Sequence, residues 1–526
     1  AEIAVPGLNL PDWVLTLVIL LTILGFPIAL VLAWALEMTP EGVRRTEPAR
    51  AEPDAAPASA PPASEQDVER KSIAVMPFAN MSDDPEAEYF SDGMTAEIIN
   101  ALAQLRDLHV AARTSCFTFK GKAAHISEVG ARLNVATVLE GSVRKAGSRL
   151  RITAQLVNVA DGYHLWSERY DREMADVFTV QDEIARAIAD KLQVTLGAGV
   201  AEQLVRPPTV NLEAYDLYLK GRYFVNQGGE GPAKGLECFQ QALACDPEYG
   251  LAHAGVAEAY TWIGNTGILR PREALPKARE AAIRALELDE TLAEAHLWLG
   301  WVSWTYDFEW SNAERHFRRA LELNPGLAQA HSGYGFYLAS MGRSEESLAE
   351  LRRGVELDPL AQIAHTWLGQ ILAYLGQFPD AIDRLRAALE LDPTSWHAIL
   401  QVGAGYRLNS DYPEAIEALQ TAIALAGRHP WTLMELAPTY VASGSEAKAE
   451  AIYDELVARS RGEYVPPASI AFVGAALGRK DEAFDWLERA YEEHDALLVW
   501  VKLLPHFDPL RDDPRFDVLM EKMGLR

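Results

Sequence analysis

Three scarcities bound what this 526-residue chain does. Cysteine is nearly missing. Cys116, Cys238 and Cys245 make an odd, sparse set, which excludes a disulfide framework and a zinc site. Cys238 and Cys245 fall seven apart in one predicted helix and read as core. Positive charge is short: 48 Lys and Arg stand against 75 Asp and Glu, a net charge of −27. Such a surface repels nucleic-acid backbones, so no nucleic-acid partner is expected. Catalytic signatures are missing too. There is no Gly-rich phosphate loop, no HExxH, no nucleophile elbow and no clustered metal ligands. The expectation is a chain that is not an enzyme and needs no cofactor or metal.

What is present begins with an uncharged apolar run at residues 13–36, WVLTLVILLTILGFPIALVLAWAL. At about 1.5 Å per residue it is long enough to span a bilayer core as one helix. Trp13 and Trp34 stand near its ends, where indole rings favour the interface. Gly25 and Pro27 predict a kink. The run is too long, and too poor in flanking signals, for a cleaved signal peptide. Glu2 and Asp12 precede it within the short segment 1–12, whereas Arg44, Arg45 and Arg50 follow it. The positive-inside rule then puts the carboxy-terminal side in the cytoplasm, with the periplasm as the alternative. A further helix upstream of Ala1, pairing with this one, satisfies the rule more naturally. Residues 37–70 are rich in Pro, Ala, Ser and Glu and read as a semi-extended tether.

Residues 71–197 read as a small α+β domain. SIAVMPF is a buried strand, and Asp92-Gly93-Met94-Thr95 is expected to open a helix reaching about Leu105, capped by Asp92 or Thr95. Strands follow at 108–112, 135–145, 150–158 and 163–170, with a helix at 125–133 and a closing amphipathic helix at 178–196. The stretches IAVMPFANMSDDPEAEYFSDGMTAEI, VLEGSVRKAGSRLRITAQLVNVADGYHLWSERYDR and DVFTVQDEIARAIADKL resemble the TolB-amino-terminal-like domain of bacterial proteins. There it sits between a membrane helix and helical repeats. The resemblance implies an assembly or sensing module in the bacterial inner membrane, with no catalytic residues to carry over. Related proteins often add an adenylate cyclase catalytic domain or a winged-helix DNA-binding domain, and neither is found in these 526 residues. The acidic cluster Asp83, Asp84, Glu86, Glu88 and Asp92 departs from calcium-loop spacing and reads as a solvated loop. Cys116 has no neighbouring base and reads as an inert thiol.

The rest of the chain repeats itself. Pro325, Pro359 and Pro393 lie 34 residues apart, in LELNP, VELDP and LELDP. After each, the same template recurs: Gly335, Leu338, Gly342, Ser347, Leu351 and Gly354; then Gly369, Leu372, Gly376, Ala381, Leu385 and Ala388; then Gly403, Tyr406, Ala415, Leu419 and Ala422. Small residues let paired helices approach, a large residue fills the groove, and Pro ends the unit. This is the signature of tetratricopeptide repeats. Counting degenerate units, about eight repeats are expected over residues 211–500, with a capping helix over 501–526 covering the last apolar face. The predicted fold is mostly α, a tetratricopeptide-repeat solenoid preceded by a small α+β domain and one transmembrane helix.

His253, His296, His331 and His365 hold equivalent positions in four successive repeats. Stacked repeats put such positions about 10 Å apart, too far to share one metal ion, so they read as repeat-packing residues. A protein or peptide partner is expected on the inner, first-helix face, through Trp301, Trp304, Phe336, Gln370, Tyr374 and Arg407. The functional expectation is a membrane-tethered scaffold or sensor that binds protein through its repeats. The alternative is the regulatory portion of a signalling protein, of adenylate cyclase or transcription-regulator type, with its output domain upstream. Oligomeric state is not legible.

Overall fold

The computed structural model describes residues 36–39, 42–45, 71–82, 88–105, 107–122, 124–194, 209–225 and 230–525. Two short strands pair near the start of the chain. Strand β1 (Leu36–Thr39) pairs antiparallel with β2 (Gly42–Arg45), with Thr39 opposite Gly42. This corrects two expectations. Leu36 is a strand residue rather than the end of a membrane helix, and residues 37–39 and 42–45, expected in the tether, are paired strands. The remainder of the apolar run, residues 13–35, lies outside the described residues, as do 1–12 and 46–70. Among the described residues no helix is long and apolar enough to cross a membrane.

The α+β domain is built on a mixed sheet of order β5-β3-β6-β7-β8. Strand β3 (Ser72–Val75) runs parallel to β5 (His109–Val110) and to β6 (Thr137–Ala146). The short β4 (Ala79–Asn80) continues alongside β6. Strands β6, β7 (Arg149–Asn158) and β8 (His164–Glu173) form an antiparallel meander. Burial along β7 alternates, as expected when one sheet face is covered and the other meets water. The covering helices are α1 (Glu88–Ala103), α3 (Ile126–Leu133) and α4 (Val177–Lys191). Their apolar faces join Ile73, Val75, Val138, Ile152 and Leu156 in one core.

Helix α1 begins at Glu88, so Asp92 and Thr95 lie inside it and cap nothing. Asp92 is not solvated either: it is buried and ion-paired to Lys120 at 2.6 Å, beside Glu88 at 2.7 Å from the same amine. Asp83, Asp84 and Glu86 lie outside the described residues. Thr95 accepts from the Phe78 amide and so anchors the strand end. A five-residue helix, α2 (Arg113–Phe117), interrupts what reads as loop. It buries Cys116 completely, and burial pushes that thiol up to about 12.

Between Leu212 and Glu493 the described chain forms eight antiparallel helix pairs. They are α5 (Leu212–Val225) with α6 (Gly231–Cys245), α7 (Gly250–Asn265) with α8 (Pro271–Leu288), and α9 (Ala293–Thr305) with α10 (Trp310–Leu323). Next come α11 (Ala328–Ser340) with α12 (Ser344–Leu357), α13 (Gln362–Tyr374) with α14 (Phe378–Leu391), and α15 (Trp396–Leu408) with α16 (Tyr412–Ala426). The last are α17 (Pro430–Ala442) with α18 (Glu446–Arg459), and α19 (Pro467–Ala476) with α20 (Lys480–Glu493). Close approach explains the template glycines. A Cβ on Gly335, Gly369 or Gly403 would lie 2.7, 2.7 or 2.6 Å from the side chain of Leu351, Leu385 or Leu419 in the paired helix. The turn inside each pair shows the same period. Gly342, Gly376, Gly444 and Gly478 all have left-handed φ, and in the same register stand Ser410 (φ 69°) and Phe308 (φ 55°). Each repeat histidine ties down the turn before its helix. The Nε2 atoms of His253, His296, His331 and His365 lie 3.0, 3.2, 3.0 and 2.8 Å from the carbonyl oxygen six residues earlier.

The α+β domain and the array pack as one compact unit. Ser115 on α2 donates to Asp358 at 2.5 Å and accepts from the Leu360 amide at 2.7 Å. The Ala112 amide donates to the Leu357 carbonyl at 2.9 Å. Leu219 on α5 lies where a side chain on Gly93 would stand. Asp216 receives both Tyr89 and Lys145. Beside this seam Arg222 pairs with Glu258 at 2.6 Å, and Glu97 of α1 faces them. Burial raises Glu97 to about 7, against the pull of Arg222.

The carboxy-terminal tail departs from the expected cap. Two 3-10 segments, Ala496–Trp500 and Pro505–Leu510, precede α21 (Pro514–Lys522). Asp513 caps α21 with Pro514 at its first position, whereas Asp508-Pro509 sits inside the second 3-10 segment. The tail does more than cover the last pair, because it returns to the third. Trp310 Nε1 donates to the Met523 carbonyl at 2.7 Å, and His494 Nδ1 lies 2.6 Å from the Tyr306 carbonyl oxygen. Arg270 bridges to Glu493 at 3.4 Å. Phe308 stacks on Tyr491 and His494. The array therefore closes on itself.

Candidate functional site

Closure turns the inner face into a cavity. Its wall comes from the first helices α7, α9, α11, α13, α15 and α17, and its roof from Tyr464, Pro466 and tail residues Asp495 to Leu504. The volume is about 400 Å³. Every tryptophan carried by a first helix lines it: Trp262, Trp298, Trp301, Trp304, Trp367, Trp396 and Trp431. Trp262, Trp301 and Trp367 form a triangle with ring centres 6.1–6.3 Å apart. Trp500 from the tail meets Trp304 and Phe336 edge-on, with centres 5.4 and 5.2 Å away. Such tilted contacts match the quadrupole of aromatic rings.

The cavity's polar groups are few. Asn265, at the end of α7, has its Oδ1 buried without a hydrogen-bond partner among the described residues. Gln370 donates to the Tyr374 hydroxyl at 3.1 Å. Gln401 stands 3.5 Å from His397, whose imidazole is pushed down to about 4 by burial. Two carboxylates line the cavity, and both are paired. Burial raises Glu435, but His506 and Arg407 outweigh it and hold the carboxyl down to about 2. Its oxygens meet Arg407 at 2.8 Å and His506 at 3.4 Å. Asp495 is raised to about 6 by burial and accepts from the Ala468 and Leu497 amides at 2.9 and 3.0 Å.

Of the six residues expected on the inner face, five line this cavity: Trp301, Trp304, Phe336, Gln370 and Tyr374. They are not equivalent. Trp304 is 1% exposed and donates to Ser340, so it belongs to the core as much as to the cavity. Trp301 and Phe336 are also buried, whereas Gln370 and Tyr374 are half-buried. Arg407 stands behind the wall and acts on the site through Glu435. Sequence reasoning missed Trp262, Trp298, Trp367, Trp396, Trp431, Asn265 and the whole roof. The tryptophans were findable, since all fall on first helices; the roof was not, because nothing local points the tail inward. Among the described residues no group of three or more His, Cys, Asp or Glu side chains forms a metal centre.

Comparison with known proteins agrees with both halves of the fold. Residues 69–187 match the family model of the second domain of HilA/YgeH-like transcriptional regulators. Residues 335–395 and 406–465 match tetratricopeptide-repeat models. The chain is 44% identical over 189 residues to the "Putative adenylate cyclase 3" of Rhizobium meliloti (strain 1021), covering 36% of this chain and 32% of that protein. It is 25% identical over 286 residues to the transcriptional regulator HilA of Salmonella typhimurium, covering 53% of this chain and 49% of that protein. The chain thus spans about a third to a half of the length of these relatives. Among solved structures, the tetratricopeptide-repeat protein YrrB, described as having an unusual peptide-binding site, is 24% identical over 38% of this chain and 97% of its own, with a TM-score of 0.26. Human IFIT1 is 16% identical over 61% of this chain and 89% of its own, with a TM-score of 0.42. The repeat assignment rests on the family models and on the 34-residue geometry.

Proposed function

We propose that this chain is the signal-receiving scaffold of a larger signalling protein, with recognition at the internal aromatic cavity and protein partners held on the repeat array. Tetratricopeptide repeats as a class are protein-interaction scaffolds, which sets the coarse reading. The observation that carries the finer one is the cavity itself. An apolar concavity of this size with a few placed polar groups is the usual form of a recognition site. The α+β domain is bolted to the same array, it matches a domain of HilA/YgeH-like transcriptional regulators, and the chain's relatives include a protein named as a putative adenylate cyclase. An output domain in a longer chain is the counterpart of that arrangement. The TolB-like motifs and the apolar run at residues 13–36 support tethering at a bacterial inner membrane, with the soluble part on the cytoplasmic side.

The test fills the cavity and follows capture. Full-length wild type and Gln370→Trp are used as baits in the native membrane, and retained proteins are compared after confirming equal folding by circular dichroism. The expected result is a set of partners held by wild type and lost or reduced with the filled cavity. Identical capture by a folded Gln370→Trp chain refutes recognition at this site.

A further inference from the structure

The sheet of the α+β domain ends at β8, and no strand lies beyond it among the described residues. We propose that this edge pairs antiparallel with β8 of a second copy of the chain, about a two-fold axis at Tyr170. Proteins usually blunt an open edge with a short strand, with Lys or Pro, or with a bulge. Strand β8 is ten residues long and contains neither Lys nor Pro. Its register shift against β7 lies at Leu156/Val157, before the stretch that pairs. Ser167, Glu168, Arg169, Arg172 and Glu173 are exposed. The hydrogen bonds quoted between the domain and the repeats come from α1, α2 and β6, and α4 adds Gln181 to the Tyr215 hydroxyl.

Backbone direction decides which residues can pair. In an antiparallel ladder alternate residues bond to the neighbouring strand, and those between them point away from it. The Met174 amide donates to the Ser148 carbonyl at 2.6 Å, in the register that sets Glu173 opposite Arg149. Even-numbered residues of β8 therefore bond to β7. Ser167, Arg169, Asp171 and Glu173 turn their amides and carbonyls to the open edge. On that side the Asp171 carbonyl meets the Arg172 guanidinium of its own chain at 3.4 Å.

Charge then selects one register. With Tyr170 on the axis, Arg169 faces Asp171 of the other copy, Glu168 faces Arg172, and Ser167 faces Glu173. Both ion pairs form twice, and the outward residues supply about eight backbone hydrogen bonds. Sliding one copy by two residues sets Arg169 against Arg169, or Asp171 against Asp171. Like charges directly opposite are destabilising. Within its own chain Arg169 reaches Asp171 at 3.5 Å, and Arg172 reaches Glu183 at 3.7 Å. Both cations are loosely held and gain a closer partner across the axis.

The test follows hydrogen exchange of the purified full chain, in one detergent, as its concentration is raised. The expected result is slowing of the Arg169 and Asp171 amides by about tenfold or more at high concentration. The Met174 amide, bonded to Ser148 with or without a second copy, stays constant. Glu168→Arg and Arg172→Glu each set like charges opposite one another twice. Either change alone moves the slowing to about tenfold higher concentration or beyond. Mixing the two variants restores it, because one strand then carries two cations and the other two anions at the facing positions. Circular dichroism confirms that both variants fold. Outward amides that exchange equally fast at every concentration overturn the proposal. So does an unchanged concentration dependence in the folded single variants, or no recovery when they are mixed.

Discussion

The seam between the α+β domain and the repeats makes the sharpest prediction. Ser115→Ala deletes one oxygen that serves two bonds: it donates to the buried Asp358 carboxylate at 2.5 Å and accepts from the Leu360 amide at 2.7 Å. A hydrogen bond to a charged acceptor is worth about 1.5–3 kcal/mol, and a neutral one about 1 kcal/mol. The Ser115 amide still reaches Asp358 at 2.9 Å, so the carboxylate is not stranded. The net loss is therefore near the lower end, about 2–3 kcal/mol of docking energy. At 1.4 kcal/mol per decade that raises local opening by roughly thirty- to a hundredfold. Native-state hydrogen exchange reads this directly, because the amides of Ala112, Ser115 and Leu360 all bond across the seam. The Asp358 amide, bonded inside its own repeat to Gly354, serves as the internal control. Crossing Ser115→Ala with Asp358→Ala in a double-mutant cycle should give a coupling of about 1–2 kcal/mol. Faster exchange spread evenly through the array, or a coupling near zero, would refute the idea that this pair holds the domains together.

Three further outcomes follow from single positions. Trp304→Ala should cost about 3–5 kcal/mol, as loss of a fully buried aromatic does, so its urea midpoint falls sharply. That makes Trp304 a poor probe of binding, and a midpoint close to wild type would mean its packing is misassigned. Ser410→Gly removes a left-handed strain and should stabilise by about 1 kcal/mol, whereas Phe308→Gly relieves similar strain yet loses the stack on Tyr491 and His494. Faster exchange of the His494 and Met523 amides in Phe308→Gly, with slower unfolding in Ser410→Gly, is the expected contrast. Burial, aided by His296 and Arg315, holds His316 down to about 4. The unfolded chain takes up that proton near pH 6.5, so stability is intact above this value and lost as pH falls toward 4. His316→Gln should therefore lose less stability than wild type between pH 7 and 4.5, by up to about 3 kcal/mol at 1.36 per unit; an equal loss in both contradicts the assignment.

Periodicity carried the legible part of this structure. The 34-residue register fixed the helix pairs, because Gly335 against Leu351 and its equivalents are local in sequence and repeat. Alternation and turn residues gave the sheet to within a few residues. The failures share one cause. Asp92 looks like a helix cap, and becomes a mid-helix ion pair only because Lys120 arrives from another element. The Asp508-Pro509 and Asp513-Pro514 pairs look alike, and only the second starts a helix. The inner-face residues fell in one place because first helices of a repeat array share a face. Their enclosure was not legible, because it depends on contacts more than 180 residues apart, such as His494 with Tyr306.

Phe308 shows how the closure is built in. In the register that holds Gly342, Gly376, Gly444 and Gly478, the third pair carries a bulky side chain in the left-handed region. Strain of that kind persists where the surroundings over-determine it. Here the surroundings are Trp310, Tyr491 and His494, which belong to the third pair, the eighth pair and the turn that follows it. The third pair thus trades turn comfort for a docking face. An open solenoid would leave its inner tryptophans to water, whereas here Trp298, Trp301, Trp304 and Trp367 are buried and Trp262, Trp396 and Trp431 stay half-buried. Helix α7 then occupies a special position. Its last residue, Asn265, faces the cavity, and Glu258, seven residues earlier, pairs with Arg222 beside the α+β domain. Seven residues are about 10 Å of one rigid helix. The cavity wall and the domain seam thus share helix α7, with Asn265 at one end and the buried Glu258–Arg222 pair toward the other.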